Sequence, residues 1–142
     1  LSDLLEDAGE PLVVFCRFQR DLDNVQVVTQ ALGLRYGELS GRRRDAIDDH
    51  ACMASDVDVA GVQIQAGGVG IDLTRAAIGV YYSLGFSLGD YLQSRARLHR
   101  PGQTRPVRFL HFVAEGTVDE AVYRALEKRQ EVVQEVLSTI KR

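Results

Sequence analysis

Continuous apolar runs alternate along this chain with segments whose apolar residues recur at helical spacing. After a short leading helix, "PLVVFCRF" (11–18) is a β-branched run opened by a proline, and it reads as a buried strand. Residues 21–32 carry apolar side chains at 22, 25, 28 and 32, and Gly33 follows as a C-terminal cap, so a helix is predicted there. "LRYGELSG" reads as a short strand and loop, and 42–54 as a second helix. "VAGVQIQA" and "IGVYYSL" follow as strands, 87–100 as a helix and "PVRFLHFVA" as a strand. A long final helix is predicted over 117–140, with a Thr117-to-Glu120 capping box and apolar positions at 118, 122, 126, 133, 137 and 140. Uninterrupted Val/Ile/Phe strands separated by helices predict an α/β fold, a parallel sheet with helices on both faces plus the long C-terminal helix. Ligands of such sheets sit at the carboxyl ends of the strands.

The 142 residues, 45% of them apolar, suit a single domain with a core of its own. No signal-peptide pattern and no run of about eighteen apolar residues occurs, so a soluble, cytoplasmic protein with no membrane partner is expected. Cys16 and Cys52 lack C-x-x-C spacing, and His50, His99 and His111 lack metal-ligand spacing. They read as core thiols and structural histidines, and no metal site is expected. The formal net charge of −3 argues against a general, strongly basic nucleic-acid binder. Its distribution is uneven: Tyr91 to Ala114 holds no acidic residue but includes Arg95, Arg97, Arg100, Arg105 and Arg108.

Two segments carry candidate chemistry. Ser87 and Asp90 make a capping-box-like start and Pro101-Gly102 a stop, so 88–100 reads as one helix. At about 100° per residue, Gln93, Arg97 and Arg100 share a face beside an apolar stripe of Leu88, Leu92 and Ala96, while Arg95 points elsewhere. Two guanidinium groups beside an amide suit a polyphosphate, though the same spacing fits a solvated basic face. The second segment, "QAGGVGIDLTRA" (65–76), follows a strand and sets Gly67, Gly68 and Gly70 before a polar helix start. Such glycines let backbone N–H groups approach phosphates. Leu73 stands where a dinucleotide fingerprint needs its third glycine, and no G-K-[ST] occurs, so neither that motif nor a Walker A loop is present.

Taken together and in order, "AGGVGIDLT", "IGVYYSL", "QSRARLHRPGQ" and "VRFLHFVAEGTVDEAV" resemble motifs V and VI of superfamily-two helicases, specifically the Snf-type (sucrose non-fermenting) double-stranded-DNA translocases. "VVFCRF" resembles motif IV, and "ELSGRRRDAI" the segment that follows it. "YYSLGFSLGDY" departs from the eukaryotic remodellers and looks like bacterial or bacteriophage members, which places the protein in a bacterial or phage-infected cytoplasm.

The resemblance implies a RecA-like C-terminal lobe spanning 1–142, in an ATP-dependent DNA helicase or translocase. It implies that Arg97 and Arg100 are arginine fingers for the transferring phosphate, and that Gln93, Gly70 and Asp72 help order the nucleotide. It implies that Arg17, the loop residues Ser40, Arg42, Arg43 and Arg44, and the glycines Gly67 and Gly68 face double-stranded DNA. ATP with magnesium would be bound mainly by an N-terminal lobe, absent from this chain, which begins at a non-Met residue and reads as a piece of a larger protein. "DDH" at 48–50 reads as a solvated helix face rather than a catalytic box. The alternative is a degenerate, non-catalytic lobe that serves as a DNA- or protein-interaction module.

Overall fold

The computed structural model describes residues 1–65, 70–83, 87–112, 121–122 and 124–131. Its elements run α1 (Ser2–Ala8), β1 (Leu12–Cys16), α2 (Gln19–Ala31), β2 (Tyr36–Leu39), β3 (Val59–Gln63), β4 (Ile78–Tyr81), α3 (Leu88–Ala96) and β5 (Arg108–His111). Residues 121–122 and 124–131 are helical as well, which is the described part of the predicted final helix. The five strands form one parallel sheet in the order β2-β3-β1-β4-β5, with Val13 of β1 between Ala60 of β3 and Gly79 of β4. This is the predicted α/β architecture.

All five residues of β1 are buried, and their alternation explains why the run reads as continuously apolar. Leu12, Val14 and Cys16 face one core layer with Leu5 of α1 and Leu22 and Val25 of α2. Val13 and Phe15 face the other, with Tyr91, Leu98, Val122 and Leu126. Burying each Val, Leu or Phe side chain contributes about 1.5–3 kcal/mol, so this central strand anchors both layers. The buried Val122 and Leu126 match the predicted apolar stripe of the final helix; its positions 118, 133, 137 and 140 lie outside the described residues.

α2 ends as its sequence predicts. Gly33 adopts φ +74°, and the N–H groups of Gly33 and Leu34 reach the carbonyls of Gln30 and Thr29 at 3.0 and 3.1 Å, a Schellman closure. Gly61 is needed for a different reason: a Cβ there would collide with the Tyr36 ring lying across it from the neighbouring strand.

Strand and helix do not alternate throughout. Residues 42–54 form turns, not the predicted helix, with Ile47 bridged to Met53 and Cys52 bridged to Asp72. The cause is local side-chain competition for the backbone: an Asp48 carboxylate oxygen accepts the N–H groups of His50 and Cys52 at 2.8 and 3.1 Å, and Ala51 takes φ +58°. "DDH" is therefore part of a turn rather than a helix face. Nor does a helix follow Gly70 directly: 71–77 are turn and irregular backbone, with Asp72 in an isolated bridge. Cys16 is buried, whereas Cys52 is only partly so, and His50 and His99 are exposed rather than structural. Among the described residues, no helix is long and apolar enough to cross a membrane, and no three His, Cys, Asp or Glu side chains are grouped to hold a metal ion.

Candidate functional site

α3 begins where its cap predicts: the Asp90 N–H donates to the Ser87 hydroxyl at 3.2 Å. Its buried face is set by aromatic packing. Tyr91 lies 5.0 Å from the Tyr81 ring and pairs with the His111 Nε2 at 2.8 Å, and Ser94 pairs with the Tyr81 hydroxyl at 2.5 Å. Leu88 packs against the core, but Leu92 is 37% exposed and Ala96 is exposed as well, so the predicted stripe of Leu88, Leu92 and Ala96 fails beyond its first residue. The larger aromatic surface of Tyr91 wins the core position.

The helix stops at Ala96, and 97–102 form a tight turn with Gly102 at φ +99°. The common face predicted for Gln93, Arg97 and Arg100 therefore fails at Arg100, which lies beyond helical spacing. Gln93 is exposed, Arg97 is 5% exposed, and Arg100 is exposed. Burial pushes the Arg97 guanidinium below its ordinary pKa, against the opposing fields of Tyr81 and Asp90. Arg95 stacks over the rings of Phe109 and Tyr91 at 4.7 and 5.7 Å, away from this turn, as expected.

The glycine-rich segment meets this turn directly. The Leu73 N–H donates to the Arg97 carbonyl at 2.9 Å, and Arg100 Nη1 donates to the Ile71 carbonyl at 3.2 Å. Asp72 Oδ1 accepts from the Thr74 N–H and hydroxyl at 2.8 and 2.6 Å. Those bonds hold its carboxyl below the usual value, burial opposes them, and the Arg100 charge adds to them. Gly70, at φ +95°, opens the segment in a conformation that suits glycine. Asp72 and Arg100 thus come together, Gly70 opens the same segment, and Arg97 joins through its main-chain carbonyl while its guanidinium lies in the fields of Tyr81 and Asp90; Gln93 is exposed on α3. Gln103 closes the assembly, with Nε2 3.0 Å from the carbonyls of Thr74 and Ala76 and 3.2 Å from that of Leu98. Gln103 is the last residue of "QSRARLHRPGQ", and its spacing alone marks it for no role.

Of the residues expected to face DNA, Arg17 follows the carboxyl end of β1 and Ser40, Arg42, Arg43 and Arg44 follow that of β2. The Arg17 N–H donates to the Ser83 hydroxyl at 2.8 Å, and its guanidinium lies 5.0 Å over the exposed Phe18 ring. In the next loop the arginines are engaged internally. Glu38 on β2 is fully buried and accepts from Tyr36 Oη, Ser40 Oγ and Arg42 Nε at 2.9, 2.8 and 2.9 Å. Burial pushes its carboxyl up, but the bonds from Arg42, Ser40 and Tyr36 outweigh that and hold it below the ordinary range. Arg42 also reaches Asp23, and Arg43 pairs with Asp45 at 2.8 Å. Arg44 is exposed and makes no ion pair among the described residues. Gly67 and Gly68 lie outside the described residues. Glu38 was missed in the sequence; its signal was an acid set between Gly37 and Leu39 in a strand, with arginines four and five positions on.

The model of the helicase conserved C-terminal domain matches residues 1–102. The chain belongs to that family. This helicase C-terminal domain is 33% identical over 130 residues to a Danio rerio chromodomain-helicase-DNA-binding protein 1-like, covering 87% of this chain and 12% of the relative. It is 33% identical over 132 residues to the ATP-dependent helicase fft3 of Schizosaccharomyces pombe, covering 87% of this chain and 14% of that protein. The chain thus spans about an eighth of the length of these relatives. Among solved structures, the C-terminal part of the Fun30 ATPase domain superposes with a TM-score of 0.74 at 23% identity, over 88% of this chain and 43% of that one, which shows the shared fold. The relatives named here are eukaryotic and lend no support to the bacterial or phage origin suggested by "YYSLGFSLGDY".

Proposed function

We propose that this domain is the second RecA-like lobe of a Snf-type, ATP-dependent double-stranded-DNA translocase, and that it completes the ATP site built mainly by an N-terminal lobe. The observation that carries the reading is the interlock of the glycine-rich segment with the turn after α3, which sets the Arg100 guanidinium against the Ile71 carbonyl, beside Asp72. An always-charged planar fork held by a neutral backbone acceptor suits the charge that develops on a transferring phosphoryl group. Arg97, buried at the start of the same turn, is the second candidate finger, and magnesium belongs with carboxylates of the other lobe. The family membership and the names of the relatives support a helicase; the choice of duplex DNA rests on the resemblance of the motifs.

The reading is tested by comparing this 142-residue chain with the full-length protein in an ATPase assay, with and without duplex DNA. The chain alone is expected to hydrolyse ATP no faster than buffer, because positioned charge from both lobes is the source of catalysis. The full-length protein is expected to turn over ATP and to be stimulated by the duplex. Turnover by the purified chain alone would overturn the single-lobe reading. A full-length protein with no ATPase activity that still bound DNA or protein would point to a non-catalytic lobe.

A further inference from the structure

We propose that Gln103 is a positioning residue for the arginine turn: its side-chain amide fixes where Arg100 stands relative to Asp72. This rests on the nucleotide-site reading above and extends it to a residue that touches no nucleotide.

The geometry is specific to an amide. Gln103 Oε1 accepts the Arg105 N–H at 3.2 Å, which assigns the amide orientation and turns the NH2 group inward. That group faces three carbonyl oxygens from two separate segments. Thr74 and Ala76 belong to the stretch that follows Asp72, and Leu98 lies between Arg97 and Arg100. Two hydrogens shared among three acceptors make this half-buried side chain a cross-link, and it complements the main-chain bond from the Gln103 N–H to the Arg100 carbonyl at 3.1 Å. Leu98 is itself fully buried, so the link ties Arg100 to a fixed point in the core. Asp72 and Arg100 approach each other across exactly these two segments. The helix that would otherwise fix the arginine has already ended at Ala96. A carboxylate at 103 would set oxygen against three carbonyls, and an apolar isostere would leave them without a donor.

The test is a double-mutant cycle in the full-length protein, with DNA-stimulated ATPase as the readout. Gln103→Met keeps the length of the side chain and removes the donor. It is expected to lower kcat by about 10²-fold, the scale of an ångström-level misplacement of a catalytic group, with the KM for ATP little changed. In an Arg100→Ala background, the same substitution is expected to cost less than about twofold, because the group it positions is gone. If Gln103→Met does not fold, the cycle is read on Gln103→Asn, which keeps the amide one methylene short; about a tenfold loss is expected, with the same cancellation. Three results overturn the inference: no change in kcat, a loss carried by KM, or an equal loss in both backgrounds, which marks a merely structural bond. A harmless Arg100→Ala overturns the nucleotide-site reading and this inference with it. A damaging Arg100→Ala with additive losses overturns this inference alone.

Discussion

In the loop after β2, Arg42 binds the buried Glu38 and reaches Asp23, and Arg43 binds Asp45. In the turn after α3, Arg100 donates to a main-chain carbonyl and makes no ion pair among the described residues. Both segments read in the sequence as arginine clusters suited to phosphate. The difference is the partner. A carboxylate already neutralises the charge of an arginine, whereas a carbonyl orients a guanidinium and leaves its charge for an incoming anion. The availability of an arginine is therefore decided by the acids within its reach, here Glu38 of a strand, Asp23 of a helix and Asp45 of the loop itself, and not by arginine density.

The comparison is broken most severely at the turn. In the full-length protein, Arg97→Ala or Arg100→Ala is expected to lower DNA-stimulated kcat by about 10³-fold, the scale of a lost arginine finger. Lysine is expected to rescue poorly, since an ammonium does not reproduce the fork. Arg95→Ala, which loses only its stacking on Phe109 and Tyr91, is expected to change kcat little; steady-state ATPase kinetics measure all of these.

The next effect falls on stability and belongs to the β2 loop. Glu38→Ala leaves Arg42, Tyr36 and Ser40 without their acceptor and is expected to cost about 3 kcal/mol in denaturant unfolding, the lower end for a broken buried pair because Arg42 keeps access to water. The same pair has a pH signature. The folded-state pKa of Glu38 lies below its ordinary value of 4.5, so its contribution is present above that value and is lost as pH falls through the depressed one. The variant is therefore expected to lose less stability than the parent on acidification below about pH 4.

The smallest effect separates Arg44 from Arg42. Arg44→Ala is expected to weaken duplex binding about evenly across sequences and to reduce the salt slope by about one phosphate contact. Arg42→Ala is expected to act mainly on stability, with little change of slope. Fluorescence anisotropy titrations over a series of salt concentrations measure the slopes.

What the sequence made legible follows from where each signal was local. β1 and α2 were readable because burial on both faces, helical spacing and the Gly33 cap are properties of short segments. The turn at 42–54 was not, because its apolar spacing suits a helix until Asp48 takes backbone donors for its own side chain. Motif order links the glycine-rich segment to the arginine turn, and the two segments do meet, yet the helical phase used to join Arg100 to Gln93 failed at Ala96. Tyr91 displaced Leu92 from the core through contacts with Tyr81 and His111, which lie ten and twenty positions away. Glu38 and Gln103 escaped notice because a role built on three partners from different elements leaves no periodic trace.

The claim that one arginine turn is reserved for a nucleotide while the other is spent within the fold is tested most directly by arginine-selective chemical modification of the full-length protein. Labelling would be mapped by mass spectrometry, with and without a non-hydrolysable ATP analogue, in the presence of duplex DNA. Arg100 is expected to react without nucleotide and to be protected when the analogue binds, while Arg42 and Arg43 react slowly in both states. Protection of Arg42 and Arg43 by the analogue, with Arg100 labelled equally in both states, would contradict the account.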